Sequence, residues 1–299
     1  MNGVSFGGAA AALLSLRDDP QHKRLLTIDF PRDDGPSDAI VLVNKLVAQE
    51  DLSRDFRFDV ELLSDSARIP LKQVMGKMVT ISLVREDGSL RHFNGYVFEF
   101  RLIKADGGFA FYGMVLRPWL AMASLRKNSM SFLGKSVIDI TQATFEHYLN
   151  RDWKTRLSRE YPQIVCANQY NETDHNHLYR RWEDAGLHTW YEHRADGHTL
   201  WLGDNTTLAD AIDEGVDSDN PDHMPFRSES GSIEDDAIHS WQAVRELSSA
   251  STTLASFDYK NPRPQVVTRG SLNKQGDVWQ YERYENVGAD GYKDHNDGT

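Results

Sequence analysis

Between Leu25 and Arg117 apolar side chains recur at every second position, and this alternation constrains the fold more than any other feature of the chain. A period of two puts neighbouring side chains on opposite faces of an extended strand, so it excludes an amphipathic helix and specifies sheets with one buried face. Phe56, Phe58, Val60 and Leu62 alternate with Arg57, Asp59 and Glu61. Val79, Ile81 and Leu83 repeat the pattern up to the turn Glu86-Asp87-Gly88. The return strand of that hairpin has Tyr96, Phe98, Phe100 and Leu102 alternating with Val97, Glu99 and Arg101. A second Gly-bearing turn at Ala105 to Gly108 leads to a strand over Phe109–Arg117, which Pro118 ends by removing a backbone donor. Five or more strands, with no helix between them long enough for a parallel crossover, predict an antiparallel sheet that curls or closes.

The period changes after residue 130. Ser136 with Asp139 three residues on fits a capping box, and Ile138, Phe145 and Leu149 are predicted to share one helical face. A second helix carries Leu178, Trp182 and Ala185 at helical spacing, with Gly186 as its stop. Leu187–His193 and His198–Leu202 then flank Ala195-Asp196-Gly197 as a hairpin. Strand signals resume at Ile238–Leu247, Thr252–Lys260 and Val278–Tyr284, separated by Ser-rich, Asn261-Pro262-Arg263-Pro264 and Lys274-Gln275-Gly276-Asp277 connections. The polar, Gly-rich stretch Asn286–Thr299 reads as an unfinished end. The expected fold class is β-rich α+β, with two related antiparallel β-barrel domains and a small α/β domain between them. The expected division is residues 1–130 for the first barrel, 131–203 for the α/β domain, 204–236 for an acidic solvated loop, and 237–299 for the start of the second barrel.

Charge sharpens this division. The chain has 45 Asp and Glu against 33 Lys and Arg, a net charge of -12. Eleven acids and one Arg fall between Asp204 and Asp236, so that segment carries -10 and the remaining residues -2. An acidic, Pro-bearing stretch with few large apolar residues reads as a solvated loop. An overall acidic balance counts against a nucleic-acid binder. The single cysteine, Cys166, excludes an internal disulfide and any multi-cysteine zinc site. Val4–Leu16 is too short to span a bilayer and has no Lys or Arg before it, so neither a signal peptide nor a membrane anchor is expected.

No catalytic constellation emerges. His175, His177, His188, His193 and His198 crowd into 24 residues, yet residues two apart on a helix point to nearly opposite sides and no His-Glu-x-x-His pattern is present. They read as solvated or hydrogen-bonded histidines. Asp217, Asp219 and Asp222 resemble the start of a calcium loop, but Asp222 and Ser228 stand where Gly and Glu are required. Cys166 lies in the apolar-flanked run Ile-Val-Cys-Ala and reads as an inert buried thiol. Neither a Gly-x-Ser-x-Gly elbow nor a phosphate-cradling Gly pattern occurs. Trp182, Trp190 and Trp201 have the spacing of core residues rather than of a sugar site. Catalytic, cofactor and metal residues are therefore expected to be absent.

Five segments, in order, carry a resemblance to the N-terminal hub region of the VgrG spike proteins of type VI secretion systems. Glu50-Asp51-Leu52-Ser53, followed by Phe56-Arg57-Phe58, resembles the family's Glu-x-Leu-Ser and Phe-x-Phe strand, and Met75-Gly76-Lys77 its Leu-Gly-Lys. Phe93-Asn94-Gly95-Tyr96-Val97 and Leu116-Arg117-Pro118-Trp119-Leu120 are similar to two further segments. The run Cys166–Tyr191 resembles the family's stretch from Cys and Gln-Tyr to an aromatic strand, through Tyr170, Asp174, Leu178 and Gly186. The residues taken as structural family positions are thus Leu52, Ser53, Phe56, Phe58, Gly76, Gly95, Pro118, Trp119, Cys166, Tyr170, Asp174, Leu178, Gly186 and Tyr191. His177 departs from the family, which usually has a large apolar residue there, and the acidic segment resembles a variable insert.

The resemblance implies a structural role. It implies a homotrimer whose two barrels per chain match a hexameric Hcp tube, seated among baseplate components. It also implies a PAAR-type tip and effectors carried through C-terminal parts that this chain does not include. Such a protein is assembled in the cytoplasm and ejected without a signal peptide. Competing expectations are a tail hub of a contractile phage or extracellular injection particle, a glycan-directed hydrolase, and a carbohydrate-binding barrel.

Overall fold

The fold is taken from a computed structural model that describes residues 21, 24–36, 39–85, 88–106, 108–209, 226, 238, 240–258, 261–271, 279 and 281–290. The expectations for Val4–Leu16 and for most of Asp204–Asp236 lie outside these residues. The chain divides into two units, residues 1–161 with 168–204 and residues 162–167 with 205–299.

The first unit is built on six strands, β1 (Leu26–Asp29), β2 (Val41–Gln49), β3 (Arg57–Ser64), β4 (Met78–Val84), β5 (Leu90–Asp106) and β6 (Phe109–Arg117). They form one sheet in the order β1-β4-β5-β6-β3-β2, with every pairing antiparallel. The sheet is nearly closed into a barrel, as the alternation predicts. Just before β1, Arg24 Nη2 donates to the Val43 carbonyl on β2 at 2.7 Å, across the seam. The barrel is filled by Phe56, Phe58, Val60, Leu62, Val79, Ile81, Phe93, Val97, Phe100, Tyr112, Met114 and Leu116. Leu71–Val74 forms a single helical turn, α1, which buries Val74.

Two features depart from simple alternation. Phe93 and Val97 point into the barrel and so does Phe100, a change of parity that a β-bulge between Val97 and Glu99 brings about. Tyr96 and Phe98 therefore face away from the barrel core, and the expected face of Tyr96, Phe98, Phe100 and Leu102 is divided between two sides. On β4, residues Met78–Ser82 are all buried, because the barrel core lies on one face and a second core on the other.

That second core belongs to a smaller layer of β7 (Lys127–Lys135), α2 (Val137–Phe145), β8 (Trp153–Arg156), β9 (Ile164–Thr173), α3 (Asp174–Asp184), β10 (His188–His193) and β11 (His198–Gly203). Strands β10, β11 and β8 form a sheet in that order, with β8 parallel to β11. Strands β7 and β9 pair separately. The capping box at Ser136 and Asp139 forms as expected, but the apolar face of α2 does not. The helix ends at Phe145 and buries Val137, Ile140, Thr141, Thr144 and Phe145, while Leu149 lies beyond it, 96% exposed. In α3, Leu178 and Trp182 are buried, and Gly186 after its end has φ +71°, a conformation that costs glycine little.

In the second unit β12 (Ser251–Asp258), β13 (Asn261–Gly270) and β14 (Glu282–Asp290) form a sheet in the order β13-β12-β14. Three expectations are corrected here. Residues 241–249 form no strand. Asn261-Pro262-Arg263-Pro264 opens β13 rather than connecting strands, since on an edge strand a missing proline N–H removes no ladder bond. The third strand begins at Glu282 and runs on to Asp290, parallel to β12, so this sheet is mixed rather than antiparallel.

Candidate functional site

Three polar clusters stand out in the first unit, and the first lies on the outer face of β4 and β5, where the smaller layer packs. Polar side chains in otherwise apolar strands make the first contact. The Asn94 side chain donates to Thr80 Oγ1 at 2.6 Å, and the Thr80 hydroxyl donates to the Ala195 carbonyl at 2.8 Å. The backbone N–H of Asn94 donates to Nδ1 of His193 at 3.0 Å, and Asn94 Oδ1 lies 2.9 Å from Nδ1 of His198. Trp119 completes the set, its backbone N–H reaching Nε2 of His198 and its indole N–H the Asp152 carbonyl, each at 3.0 Å.

A second cluster surrounds Asp55, in the loop before β3. Its Oδ1 accepts from the hydroxyls of Tyr179 (3.0 Å) and Tyr191 (2.9 Å), and its Oδ2 lies 2.9 Å from Nε2 of His175 and 3.8 Å from Arg117. Burial, followed by the Asp55 charge, raises the pKa of both tyrosines well above the ordinary value, so both stay protonated as donors. In the same loop Ser53 has φ +57°. It is pinned there by its N–H donating to the Thr189 carbonyl (2.8 Å) while its Oγ accepts from the Thr189 N–H (3.2 Å).

The third cluster sits at the start of α3. Asp174 is fully buried and accepts from Arg126 (2.5 Å), the Tyr148 hydroxyl (2.7 Å) and the Gln169 amide (2.8 Å). Nearby, Glu172 accepts from Arg180 at 2.5 Å and from the Asn176 amide, and its Oε1 lies 3.2 Å from Nδ1 of His177. Burial would raise the Glu172 pKa, but those hydrogen bonds outweigh it and hold the carboxyl at about 2. His177 fills the place of an apolar residue by stacking its buried ring on Phe132, centroids 5.6 Å apart.

Most of the remaining marked positions serve this frame. Phe56 and Phe58 stack on each other at 4.5 Å in the barrel core. Gly95 admits the close approach of β6, since a Cβ there would lie 3.0 Å from Leu116 Cβ. Gly76 donates its N–H to the Val97 carbonyl at 2.8 Å, and Pro118 opens the 3-10 turn Trp119–Ser124. Leu52 and Tyr170 lie outside the frame, 62% and 81% exposed.

Cys166 is exposed, which corrects the buried reading. On β9 the inward positions are Ala167 and Gln169, so the apolar neighbours of Cys166 occupy the opposite face of the strand. Of the three tryptophans expected in the core only Trp182 is fully buried. Trp190 and Trp201 stack on each other across β10 and β11 on the outer side of the sheet, at 5.8 Å. His188 lies on one end of the stack, and Lys154 and Arg156 lie over its rings. Those π faces are occupied by the protein itself. Among the described residues no group of three His, Cys, Asp or Glu is gathered as a metal ion would need, and no helix is long and apolar enough to cross a membrane. What the arrangement does chemically is hold: the clusters around Asn94 and Asp55 tie the smaller layer to the barrel, and the cluster around Asp174 and Glu172 braces the smaller layer within itself.

The sequence-marked histidines were legible only as a group. Thr80 and Asn94, polar residues in the middle of otherwise apolar strands, signal only that a partner is needed outside the barrel; that Asn94 meets His193 and His198 is not written in the local sequence.

Residues 49–299 match the phage tail baseplate hub (GPD) family. The type VI secretion system spike protein VgrG1b of Pseudomonas aeruginosa is 29% identical over 269 residues, covering 90% of this chain and 35% of that protein. Its paralogue VgrG1a is 28% identical over 268 residues, with 90% and 40% covered. The chain thus spans well under half the length of these curated relatives. Among solved structures, the c3393 protein of E. coli, a type VI secretion component described as similar to the T4 bacteriophage tail proteins gp27 and gp5, superposes with a TM-score of 0.55. It is 21% identical, with 62% of this chain and 50% of that chain covered. A tail protein from Neisseria meningitidis gives 0.52 at 14% identity, covering 83% and 71%.

Proposed function

We propose, from the premise that this chain belongs to the phage tail baseplate hub (GPD) family, that it forms the hub at the base of a type VI secretion puncturing spike. The single observation that carries this reading is the family match over residues 49–299, which takes in the barrel strands β3 to β6, the smaller layer and the strands of the second unit. Relatives named as spike proteins at 28–29% identity support the type VI assignment. The domain division proposed is the one expected above, with residues 1–130 and 237–299 contributing two related barrels and 204–236 a solvated acidic loop.

In this reading three chains assemble so that six barrels meet a hexameric Hcp tube, and the baseplate seats the ring. A PAAR-type tip and effectors would join the spike above this hub. The hub is assembled in the cytoplasm and leaves the cell by sheath contraction. It catalyses no reaction; its work is to keep its layers together under axial load, and the buried clusters around Asp55 and Asn94 fit that demand. The family's own description favours a second reading, the hub of a contractile phage tail.

Light scattering across a dilution series tests the assembly. Chains of 34.0 kDa give about 102 kDa as a trimer. Co-sedimentation of that trimer with purified Hcp hexamers tests the docking. A trimer that captures Hcp supports the spike hub. A trimer that ignores Hcp favours the phage hub, and a chain that stays monomeric when extended through the length of its relatives overturns both.

A further inference from the structure

His193 and His198 oppose each other directly across the β10–β11 hairpin, ring centroids 5.9 Å apart. Their rings lie between two cores. Phe56 and Phe58 of the barrel pack on His193, and Phe56, Tyr96 and Tyr191 pack on His198, which is 2% exposed.

Hydrogen-bond directions fix where each ring carries its proton. The Trp119 backbone N–H donates to Nε2 of His198, so that nitrogen bears the lone pair and Nδ1–H donates to Asn94 Oδ1. Asn94 is oriented by its own amide donating to Thr80. The Asn94 backbone N–H donates to Nδ1 of His193, which leaves the His193 proton on Nε2. A backbone amide cannot become an acceptor. A second proton on either ring therefore sets N–H against N–H, at Trp119 for His198 and at Asn94 for His193, and breaks the bond that seats the ring.

We propose that this pair is an acid-released latch: protonation of His193 and His198 frees the β10–β11 hairpin, and the layer built on it, from the outer face of β4 and β5.

The surroundings make the latch hold near neutrality. On β5, Arg91 faces His193 with like charge, and His92, also on β5, is engaged with Ser82 of β4. From the hairpin turn Arg194 bears on His198, with its charge shared between Asp152 and Asp196. Asp55 is reached through Tyr191, and Arg32 and Asp152 bear on Tyr96. Phe56, Phe58 and Trp119 bring no charge. Among the described residues the one acid aimed at the pair is Glu50, 3.8 Å from Nε2 of His193, and burial holds its own carboxyl toward the neutral form. Burial, then Arg91, keeps His193 down to about 4, and burial, then His193, keeps His198 well below the usual histidine value.

Hydrogen exchange of the full chain, corrected for intrinsic rates, tests the latch at about pH 7, 5 and 4. Amides of residues 188–203 are expected to lose protection by about tenfold or more at the acid end while β3 and β6 keep theirs. In the double variant His193→Asn, His198→Gln, both replacements accept the backbone N–H without titrating, and the hairpin is expected to stay protected. Protection that falls evenly across barrel and hairpin, or a double variant that releases at the same pH, overturns the proposal. Where that variant does not fold, the imidazole proton resonances of the natural chain decide. Titration of both rings together with hairpin release supports the latch. Titration of either ring near pH 6.5 in a chain with a protected hairpin overturns it.

Discussion

At the scale of single residues, stability rests on carboxylates whose partners are all protein groups. Asp174→Ala removes the acceptor of Arg126, Tyr148 and Gln169 at once, leaving the half-buried Tyr148 hydroxyl without its acceptor and the Gln169 amide with only the Glu172 carbonyl. Because Arg126 stays partly exposed and can rehydrate, the expected loss is about 2–4 kcal/mol rather than that of a fully buried pair, read from urea unfolding. Asp174→Asn should cost less, and an Ala variant as stable as the natural chain would remove the cluster from the account. Glu172 gives a pH signature with a definite sign. Its folded-state carboxyl lies at about 2 against an ordinary 4.5, so the unfolded chain binds more protons between these values. The stabilisation is complete above about pH 4.5 and disappears as the pH falls toward 2, about 1–2 kcal/mol after solvent screening at Arg180. Denaturation of Glu172→Gln at a series of pH values should lack that acid slope. The histidine pair acts in a separate, higher window: its neutral form is stabilising above the ordinary 6.5, and that stability is lost toward about 4.

At the scale of elements, α2 depends on its N-terminal cap. Ser136 Oγ accepts from the Asp139 N–H and the Asp139 carboxylate accepts from the Ser136 N–H, so Ser136→Ala should cost about 1 kcal/mol. A denaturant midpoint unchanged in that variant would show that packing of Phe145 and Ile140 alone sets the helix. This capping box was legible in the sequence because all its partners lie within four residues. The α2 face was not, because the helix stops at Phe145 and the spacing to Leu149 runs past its end. Strand β3 was legible for a related reason: its outer side is not covered, so alternation survives. On β4 a second core hides the alternation, and on β5 the bulge at Val97 inverts it by pairing with β6, which local sequence does not encode. Strand β13 was missed because proline marks a break everywhere except at a sheet edge, and edge position is a property of the whole sheet.

At the scale of the whole molecule, the near-closed barrel followed from the count and length of alternating segments, while the docking of the smaller layer onto it did not. That docking joins residues such as Ser53 with Thr189 and Asn94 with His198, and one sequence holds no trace of which distant polar residues meet. The acidic segment tests the assembly reading at this scale. Its net charge of -10 would repel a close-packed copy of itself, so it is expected outside the trimer contacts. A chain deleted over residues 204–236 should still scatter as a trimer, and its dissociation to monomers would place that segment in the interface. The long span between Asn94 and His198 also has a consequence for the making of the protein. They stand 104 residues apart, and at about 5–20 residues per second the ribosome delivers the second roughly 5–20 s after the first. During that interval the emerging barrel presents Thr80, Asn94 and Tyr96 uncovered, which is a window for a chaperone and the moment at which a stalled nascent chain is most prone to clump.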